Sequence, residues 1–493
     1  MTDEDSREQL IELLLPRGFA ARAQSIAIAD AACPDLAADI DLLLIRCGAD
    51  ESAVARWLPT VASAVSRSLT SDGLAYVTMP RRLCPAARKC FLRTGLGEGP
   101  VFAHVPNWPA LRCLVPLDRI AFSYTFGSLT SISSRWSGAV AKAVGVPPVF
   151  AAVSALLPSA GMTFRRPNAK PLLNWLFELD DSRFEPNTAV VKTSWRRQSG
   201  SVTLHRLRTR GSRVEPCGVA KLNLQRECNQ NPAHEAAALR GLGPAAAKAG
   251  IRVPEVLAVA DAGNRKVLLE SPVAGQPAAV RMRGAGLRSL ALVAQLTNWL
   301  ERWNRETVQW APLTDAWLET EVASCAACLQ HELPSQYLAW VLALAARFSN
   351  VPVPWVAAHN DLTLWNILLD GAHIGLVDWE SAQPLDWPLT DFFYVAADGA
   401  AAVSGYRDRV SAARECFTPG GRLAGRMRIL YRQIQRGIQA PADFAELCFH
   451  ACWLRHARNE LRAAGGSGPR PFLELARWAA TDKSAVAAWL RQT

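Results

Sequence analysis

The stretch His359-Asn360-Asp361-Leu362-Thr363-Leu364-Trp365-Asn366 decides the reading of this chain, together with the apolar run 374–377 and the Asp378-Trp379-Glu380 that follows it. It has the form H-x-D-x-x-x-x-N, followed by a strand that ends on an Asp. Phosphoryl transfer from ATP needs this set of groups. One carboxylate orients the attacking hydroxyl and accepts its proton, while an amide and a second carboxylate hold Mg²⁺ against the triphosphate. Asp361 fits the first role; Asn366 and Asp378 fit the other two. Any one of them alone would be an ordinary loop or turn residue. Their order carries the reading: the loop, the Asn, a hairpin joining 366–369 to 374–377, and the terminal Asp. Asp370-Gly371 between two apolar runs is itself a good hairpin turn.

At these residues the sequence resembles the aminoglycoside phosphotransferase and choline kinase-like family. Its catalytic loop commonly reads H-G-D-x-x-x-x-N, ahead of a D-W-x or D-x-D metal segment. The resemblance covers about 190–465, and Asn360 stands where the family usually has Gly, which changes loop flexibility but removes no catalytic group. It implies a two-lobed, protein-kinase-like α+β fold that uses ATP and Mg²⁺. A eukaryotic protein kinase fits less well: Pro388-Leu389-Thr390-Asp391 follows Asp378 too closely for a long activation loop, and no A-P-E follows.

The rest of such a fold is sought upstream. Strand-like runs at 189–194 and 201–206 are joined by Trp195-Arg196-Arg197-Gln198-Ser199-Gly200. Gly200 and Ser201 could bring backbone N–H groups to phosphate; an ordinary surface hairpin is the alternative. Gly218-Val219-Ala220-Lys221-Leu222 resembles the V-A-I-K strand, whose lysine pairs with the α/β-phosphates. The Ala-rich run from His234 is strongly helical and places Glu235 where the family's helix supplies that lysine's carboxylate. Glu227 competes, and the helical context favours Glu235. Strands are expected at 253–259 and 266–270. Leu269-Glu270-Ser271-Pro272-Val273-Ala274-Gly275 then resembles the hinge that meets adenine, making Glu270 and Ser271 ATP-site candidates. Helical periodicity covers 287–348 and resumes after Asp391 as far as 490. Asp391 resembles the buried aspartate that braces the catalytic loop, with a helix N-terminal carboxylate as the other reading. His359 is grouped with it as structural support of the site.

With 493 residues, half of them hydrophobic, the chain has room for two or three domains. The expected division is a degenerate Rossmann or methyltransferase-like domain over 1–165, a linker over 166–186 with a short amphipathic helix at 172–179, a kinase-like N-lobe over 187–273, and a helical C-lobe over 274–493. In the first part, strand runs at 25–29, 41–46, 74–79 and 101–105 alternate with helical runs at 52–69 and 84–94, which argues an α/β layer. Asp72-Gly73-Leu74-Ala75-Tyr76-Val77 resembles the fifth strand of a class I methyltransferase. The glycine-rich cofactor loop is missing, because Gly95-x-Gly97-x-Gly99 comes too late. A degenerate scaffold without S-adenosylmethionine is therefore expected, and a methyltransferase–kinase fusion is an alternative.

Twelve scattered cysteines fit a reducing compartment better than a disulfide framework. Cys325-x-x-Cys328 and the Cys448, His450, Cys452, His456 group fall on helical patterns and read as packing rather than metal ligands. The acidic start carries no secretory signal, so a cytoplasmic location is expected. Residues 143–164 are uncharged and long enough to span a bilayer. Pro147, Pro148, Pro158, Gly145 and Gly161 interrupt them, which favours buried or membrane-surface helices. The net charge is +10, and from Ser381 onward Arg and Lys outnumber Asp and Glu. That argues against a polycationic acceptor and for a neutral or anionic one, such as a sugar, nucleotide-sugar or glycan. No nucleic-acid partner is expected, for want of a basic stripe or known module. A nucleotide-binding scaffold in glycan assembly is the competing function. The joint presence of Lys221, Asp361, Asn366 and Asp378 weighs against it.

Overall fold

The polypeptide passes three times between two units: Met1–Ala233 with Val256–Pro272, and His234–Glu255 with Val273–Thr493. The structure, a computed structural model, describes residues 3–28, 36–48, 50–105, 113–126, 143–144, 146–179, 188–193, 200–210, 213–282, 288–464 and 470–492.

The first unit is built on one twelve-stranded sheet. Its strands are β1 (Ala23–Ile28), β2 (Ile40–Cys47), β3 (Leu69–Pro80), β4 (Gly97–Glu98), β5 (Phe102–Val105), β6 (Cys113–Pro116), β7 (Ser159–Arg165), β8 (Thr188–Thr193), β9 (Ser201–Arg210), β10 (Arg213–Asn223), β11 (Val256–Ala262) and β12 (Arg265–Glu270). They run in the order β1-β2-β3-β7-β5-β6-β8-β9-β10-β12-β11, with β4 beside β7. Among the described residues of this sheet only β1, β2 and β3 are mutually parallel; β7 is antiparallel to β3. The parallel pair β2 and β3 needs a crossover, and the second helix, α2 (Glu51–Ser68), supplies it; α1 is Asp3–Glu12. Asp50 caps α2 by accepting from the backbone N–H groups of Ser52 and Ala53. The helix buries Val54, Leu58, Val61, Ala62 and Val65, a stripe at three-to-four spacing.

Both faces of the parallel strands are covered, so their sequences read as continuous apolar runs. Leu43, Ile45, Ala75 and Val77 face α2 and the Phe91 of α3 (Cys84–Arg93). Their neighbours Leu42, Leu44, Leu74 and Tyr76 point the other way, into a cluster with Leu10, Leu13 and Leu14. Gly161 on β7 makes room for Tyr76, since a Cβ there would stand 1.9 Å from the tyrosine oxygen.

The expected boundary at 166–186 is crossed by this sheet. β6 pairs with β8 through Cys113↔Lys192 and Leu114↔Val191, and the cluster holding Leu10 also holds Val191, Leu204, Ala220 and Leu269. Within the expected linker, Leu172, Leu173, Trp175 and Leu176 lie in that same cluster, and Trp175 Nε1 donates to the Leu13 carbonyl at 2.8 Å. The apolar residues of that segment are core, where a linker would carry solvated ones. The uncharged run 143–164 is split between α5 (Pro147–Ala155) and β7; the short α4 is Arg119–Tyr124. Among the described residues, no helix is long and apolar enough to cross a membrane.

The second unit holds two three-stranded sheets, β13-β16-β17 and β14-β15-β18, made of β13 (Gln276–Pro277), β14 (Gln309–Pro312), β15 (Pro352–Ala358), β16 (Ile367–Asp370), β17 (His373–Leu376) and β18 (Gln383–Asp386). The expected helical stretch 287–348 contains β14, a short, mostly exposed strand that only its pairing with β15 defines. Helix α6 (Asn231–Lys248) opens this part of the chain, and α7 (Arg288–Thr307) buries Leu290, Val293, Leu296, Trp299, Leu300 and Trp303. After Ser335–Ala346 (α8), the helices run as α9 (Thr390–Val403), α10 (Arg409–Phe417), α11 (Ala424–Ile438), α12 (Ala442–Ala464), α13 (Pro471–Thr481) and α14 (Lys483–Arg491). From Thr390 to Ala402 α9 is buried on all sides, as an apolar central helix should be.

Candidate active site

β15 is buried from Val353 to Ala358 and ends at the loop His359–Asn366. The loop leads into the β16–β17 hairpin, in register Ile367↔Leu376 and Asp370↔His373, and the Val377 N–H closes it by donating to the Asn366 carbonyl at 3.0 Å. Asp378 follows with φ +70. The hairpin thus returns Asp378 to the loop that carries Asp361 and Asn366.

One face of α9 holds this loop at three successive points. Asp391 accepts from the backbone N–H groups of His359 (2.7 Å) and Asn360 (2.8 Å). Tyr394 donates to Asp361 Oδ1 at 3.1 Å. Asp398, fully buried, accepts from the Leu364 N–H at 2.9 Å and pairs with Arg409 at 2.8 Å. Positions 391, 394 and 398 fall three and four apart, so they share one face.

Asp361 is half-buried. Its Oδ2 accepts from Asn366 Nδ2 at 2.8 Å, and the same amide nitrogen reaches the Asp361 carbonyl at 2.9 Å. Burial, and next the nearby charge of Asp378, push the Asp361 carboxyl up to about 6. Burial likewise pushes Asp391 up to about 7, against its two backbone donors. His359 is fully buried. Its Nδ1 accepts from the Asp361 N–H at 3.3 Å and its Nε2 faces the Val377 carbonyl at 3.2 Å, so the proton belongs on Nε2. The ring therefore ties the start of the loop to the strand that delivers Asp378.

Asn360 has φ +64, the left-handed region where glycine is at ease and asparagine is the best-tolerated substitute. Its side chain makes up for the missing glycine. Nδ2 donates to Asp386 Oδ2 at 2.6 Å and to the Ser381 carbonyl at 3.1 Å, while Oδ1 accepts from Arg455 at 3.0 Å. Arg455 also grips Asp386 through two nitrogens at 2.7 and 2.8 Å and pairs with Glu321 at 3.0 Å. In this chain the turn is pinned by a charged network, where the sequence alone implies only altered flexibility.

The Asp378-Trp379-Glu380 segment is held from α6. Glu235, buried, accepts from the Trp379 N–H at 2.9 Å, and His234 Nδ1 donates to the Glu380 carbonyl at 2.7 Å. In the first unit, Lys221 on β10 forms an ion pair at 3.2 Å with Glu270, the buried last residue of β12. Val219 and Lys221 stand opposite Glu270 and Leu268 in register. The sequence reading gives the lysine's carboxylate to Glu235 and treats Glu270 as hinge backbone. The ion pair seen within the unit is the cross-strand one to Glu270. Glu227 is exposed on a short turn. Gly200 has φ +59 and accepts from the Leu224 N–H at 2.8 Å. Ser201 opens β9 opposite Asn223, and Ser271 is half-buried just after β12. The turn residues 194–199 lie outside the described residues.

Cys325, Cys448, His450 and Cys452 are buried, and Cys328 and His456 half-buried. Burial pushes the Cys325 thiol up to about 11. His450 is fully buried, hydrogen-bonded through Nδ1 to the Tyr337 hydroxyl at 2.9 Å, and pushed down to about 3 by burial. Among the described residues no cluster of three or more His, Cys, Asp or Glu forms a metal site.

Tyr394, Asp398, Asp386 and Arg455 escape the sequence reading. A signal existed for the first two: once Asp391 is placed on a helix against the loop, positions three and seven later fall on the same face. Asp386 and Arg455 are joined only by the tertiary fold.

The H-x-D-x-x-x-x-N loop, the hairpin-terminal Asp378 and the helix that braces the loop are thus brought together in one place. Residues 218–428 match the family model described as the phosphotransferase enzyme family (APH). Solved structures similar to the chain include an amicoumacin kinase, 14% identical, covering 62% of this chain and 90% of that one at a TM-score of 0.39. A choline/ethanolamine kinase family protein from Mesorhizobium loti is 19% identical, with 58% and 89% covered and a TM-score of 0.36. An aminoglycoside phosphotransferase from Streptomyces rimosus is 19% identical, with 51% and 88% covered and a TM-score of 0.33. No curated protein matches the sequence.

Proposed function

We propose that this protein transfers the γ-phosphoryl group of ATP to a hydroxyl of a small, neutral or anionic, sugar-containing acceptor. One observation carries the reading: the Asp361 carboxylate is held on both oxygens, by Asn366 and Tyr394, with Asp378 close enough to raise its proton affinity. Asp361 orients the alcohol and takes its proton as the oxygen attacks phosphorus. Asn366 and Asp378 would hold Mg²⁺. The donor set fits, since Mg²⁺ takes one or two carboxylates and completes its shell from phosphates and water. The crowding of Asp361 by Asp378 also marks a place where a dication is favourable. Asn366 can serve both sides, its amide oxygen toward the metal and its Nδ2 toward Asp361. Lys221, paired with Glu270, is an ATP-site position in this reading. Gly200, Ser201 and Ser271 are further ATP-site positions, and Glu235 supports the metal segment.

The acceptor class follows from the charges near the loop. Asp386 is engaged by Arg455 and Asp398 by Arg409. Glu460 accepts from the N–H groups of Phe472 and Leu473 at the start of α13. These carboxylates are committed within the fold, which disfavours a polycationic substrate. In the same reading the part before 165 is a degenerate α/β scaffold without S-adenosylmethionine chemistry. The test is ADP release from Mg·ATP with neutral sugars, sugar phosphates and aminoglycosides as separate acceptors. Stimulation by the first two, abolished in Asp361→Ala, supports the reading. Stimulation by aminoglycosides alone overturns the acceptor class, and no acceptor-dependent or basal turnover overturns the phosphotransferase.

A further inference from the structure

The ring of Tyr394 packs against Trp453, His456 and Phe472, contacts that a phenylalanine would make equally well. The hydroxyl is the only part of the side chain that packing does not account for, and a buried tyrosine hydroxyl is retained where it has a partner. Its partner here is Asp361 Oδ1, at 3.1 Å. Asn366 takes the other oxygen at 2.8 Å. A carboxylate turns easily about its Cβ–Cγ bond, because that torsion is broad and two-fold. One donor leaves this rotation free; two donors on the two oxygens stop it. With the rotation stopped, the unshared lone pairs of the carboxylate point in a fixed direction.

We infer that Tyr394 is a positioning residue for phosphoryl transfer, fixing the plane of the Asp361 carboxylate so that it meets the acceptor hydroxyl in line for attack. The inference rests on the phosphotransferase reading above. Its chemical content is geometric: a hydroxyl must sit about 3–3.5 Å from phosphorus with its proton directed at the base, and small misplacements cost large factors. Asp391 and Asp398, on the same face of α9, hold loop backbone; Tyr394 alone of the three reaches the reacting carboxylate.

Tyr394→Phe in the full-length protein removes the hydroxyl and keeps the ring. Hydrolysis of Mg·ATP, with water in the place of the alcohol, is the probe. We expect kcat to fall roughly 10- to 100-fold, the worth of one hydrogen bond to a charged group, with KM for Mg·ATP unchanged. A purely structural role would lower stability, or move KM and kcat together. Unchanged kcat, or KM rising in step with falling kcat, overturns the inference. A crystal structure of the variant with Mg·AMP-PNP gives a second, activity-independent measure: the Asp361 carboxylate should be rotated or doubly oriented, and an unmoved carboxylate overturns the inference. A wild type with neither basal nor acceptor-dependent turnover removes the phosphotransferase reading itself. An active wild type with an equally active Tyr394→Phe removes only the positioning role.

Discussion

The two units differ in how their structure is specified. In the second unit the critical geometry is compressed into twenty residues, His359 to Asp378, and three of the braces on it come from a single helix face. In the first unit the geometry is spread out: β6 at Cys113–Pro116 pairs with β8 at Thr188–Thr193, and Leu10 shares a core with Leu269. Chemistry demands particular atoms at fixed spacing, and so leaves a local signature. Sheet continuity demands only hydrogen bonds and apolar side chains, which any strand can offer.

The largest effect should come from cutting the first unit at its apparent boundary. A chain of residues 187–493 would bare the edge of β8 and the apolar side chains of Val191 and Leu204. An unpaired edge of this kind invites aggregation, so we expect no soluble, nucleotide-binding protein. Recovery of a monodisperse fragment with wild-type ATP affinity would show that the two halves of the sheet are separable. Next is Asp361→Ala, expected to lower phosphoryl transfer by roughly 10²–10⁴, the usual worth of a general base, with ATP binding and melting temperature nearly unchanged. Equal turnover in the variant would sink the assignment. Asp378→Ala should abolish the gain in nucleotide affinity that Mg²⁺ brings to the wild type, as read by titration calorimetry with and without the metal.

Smaller effects sharpen the contrast. Gly161→Ala places a Cβ against Tyr76 and should cost about 1–3 kcal/mol as overpacking, measured by urea unfolding, while turnover per folded molecule stays constant. Of similar size is a pH effect. Burial lowers His104 to about 4 and His205 to about 3 in the first unit, and His450 to about 3 in the second. Because these folded values lie below the unfolded value near 6.5, the unfolded chain binds the extra protons. The histidines' contribution is therefore full above about 6.5 and is lost as pH falls toward the folded values, by about 1 kcal/mol per histidine at pH 6, while Asp361 and Asp391, raised to about 6 and about 7, work the other way over the same window. A melting profile between pH 7 and 5 that is unchanged in slope by His450→Phe would refute this for His450.

The catalytic loop, the hairpin and the helical second unit were legible because each has a short-range cause: H-x-D-x-x-x-x-N, an Asp-Gly turn, and apolar residues at three-to-four spacing in α7. The pinning of Asn360 was not, since Asp386 and Arg455 lie 26 and 95 residues away. The pairing of Lys221 with Glu270 was missed for a related reason. Glu270 stands opposite Val219, two residues along from the lysine and on the same face of the sheet, so the pair is a diagonal one that only the β10–β12 register reveals. The segment 172–176 looked like linker because its helical run is short, yet Trp175 is core.

The return of β11 and β12 to the first unit after residues 234–255 have entered the second has a consequence for biosynthesis. β10 has β9 on one side and β12 on the other, so until Glu270 has emerged from the ribosome the growing sheet ends on β10 with its outer hydrogen-bonding groups bare. The nascent chain is then most prone to pair with a neighbour on the same message. A translational pause that holds the chain with only the residues up to 223 outside the ribosome would prolong that exposure, whereas one that comes once residue 272 has emerged would let the sheet close before α7 and the helices after it appear.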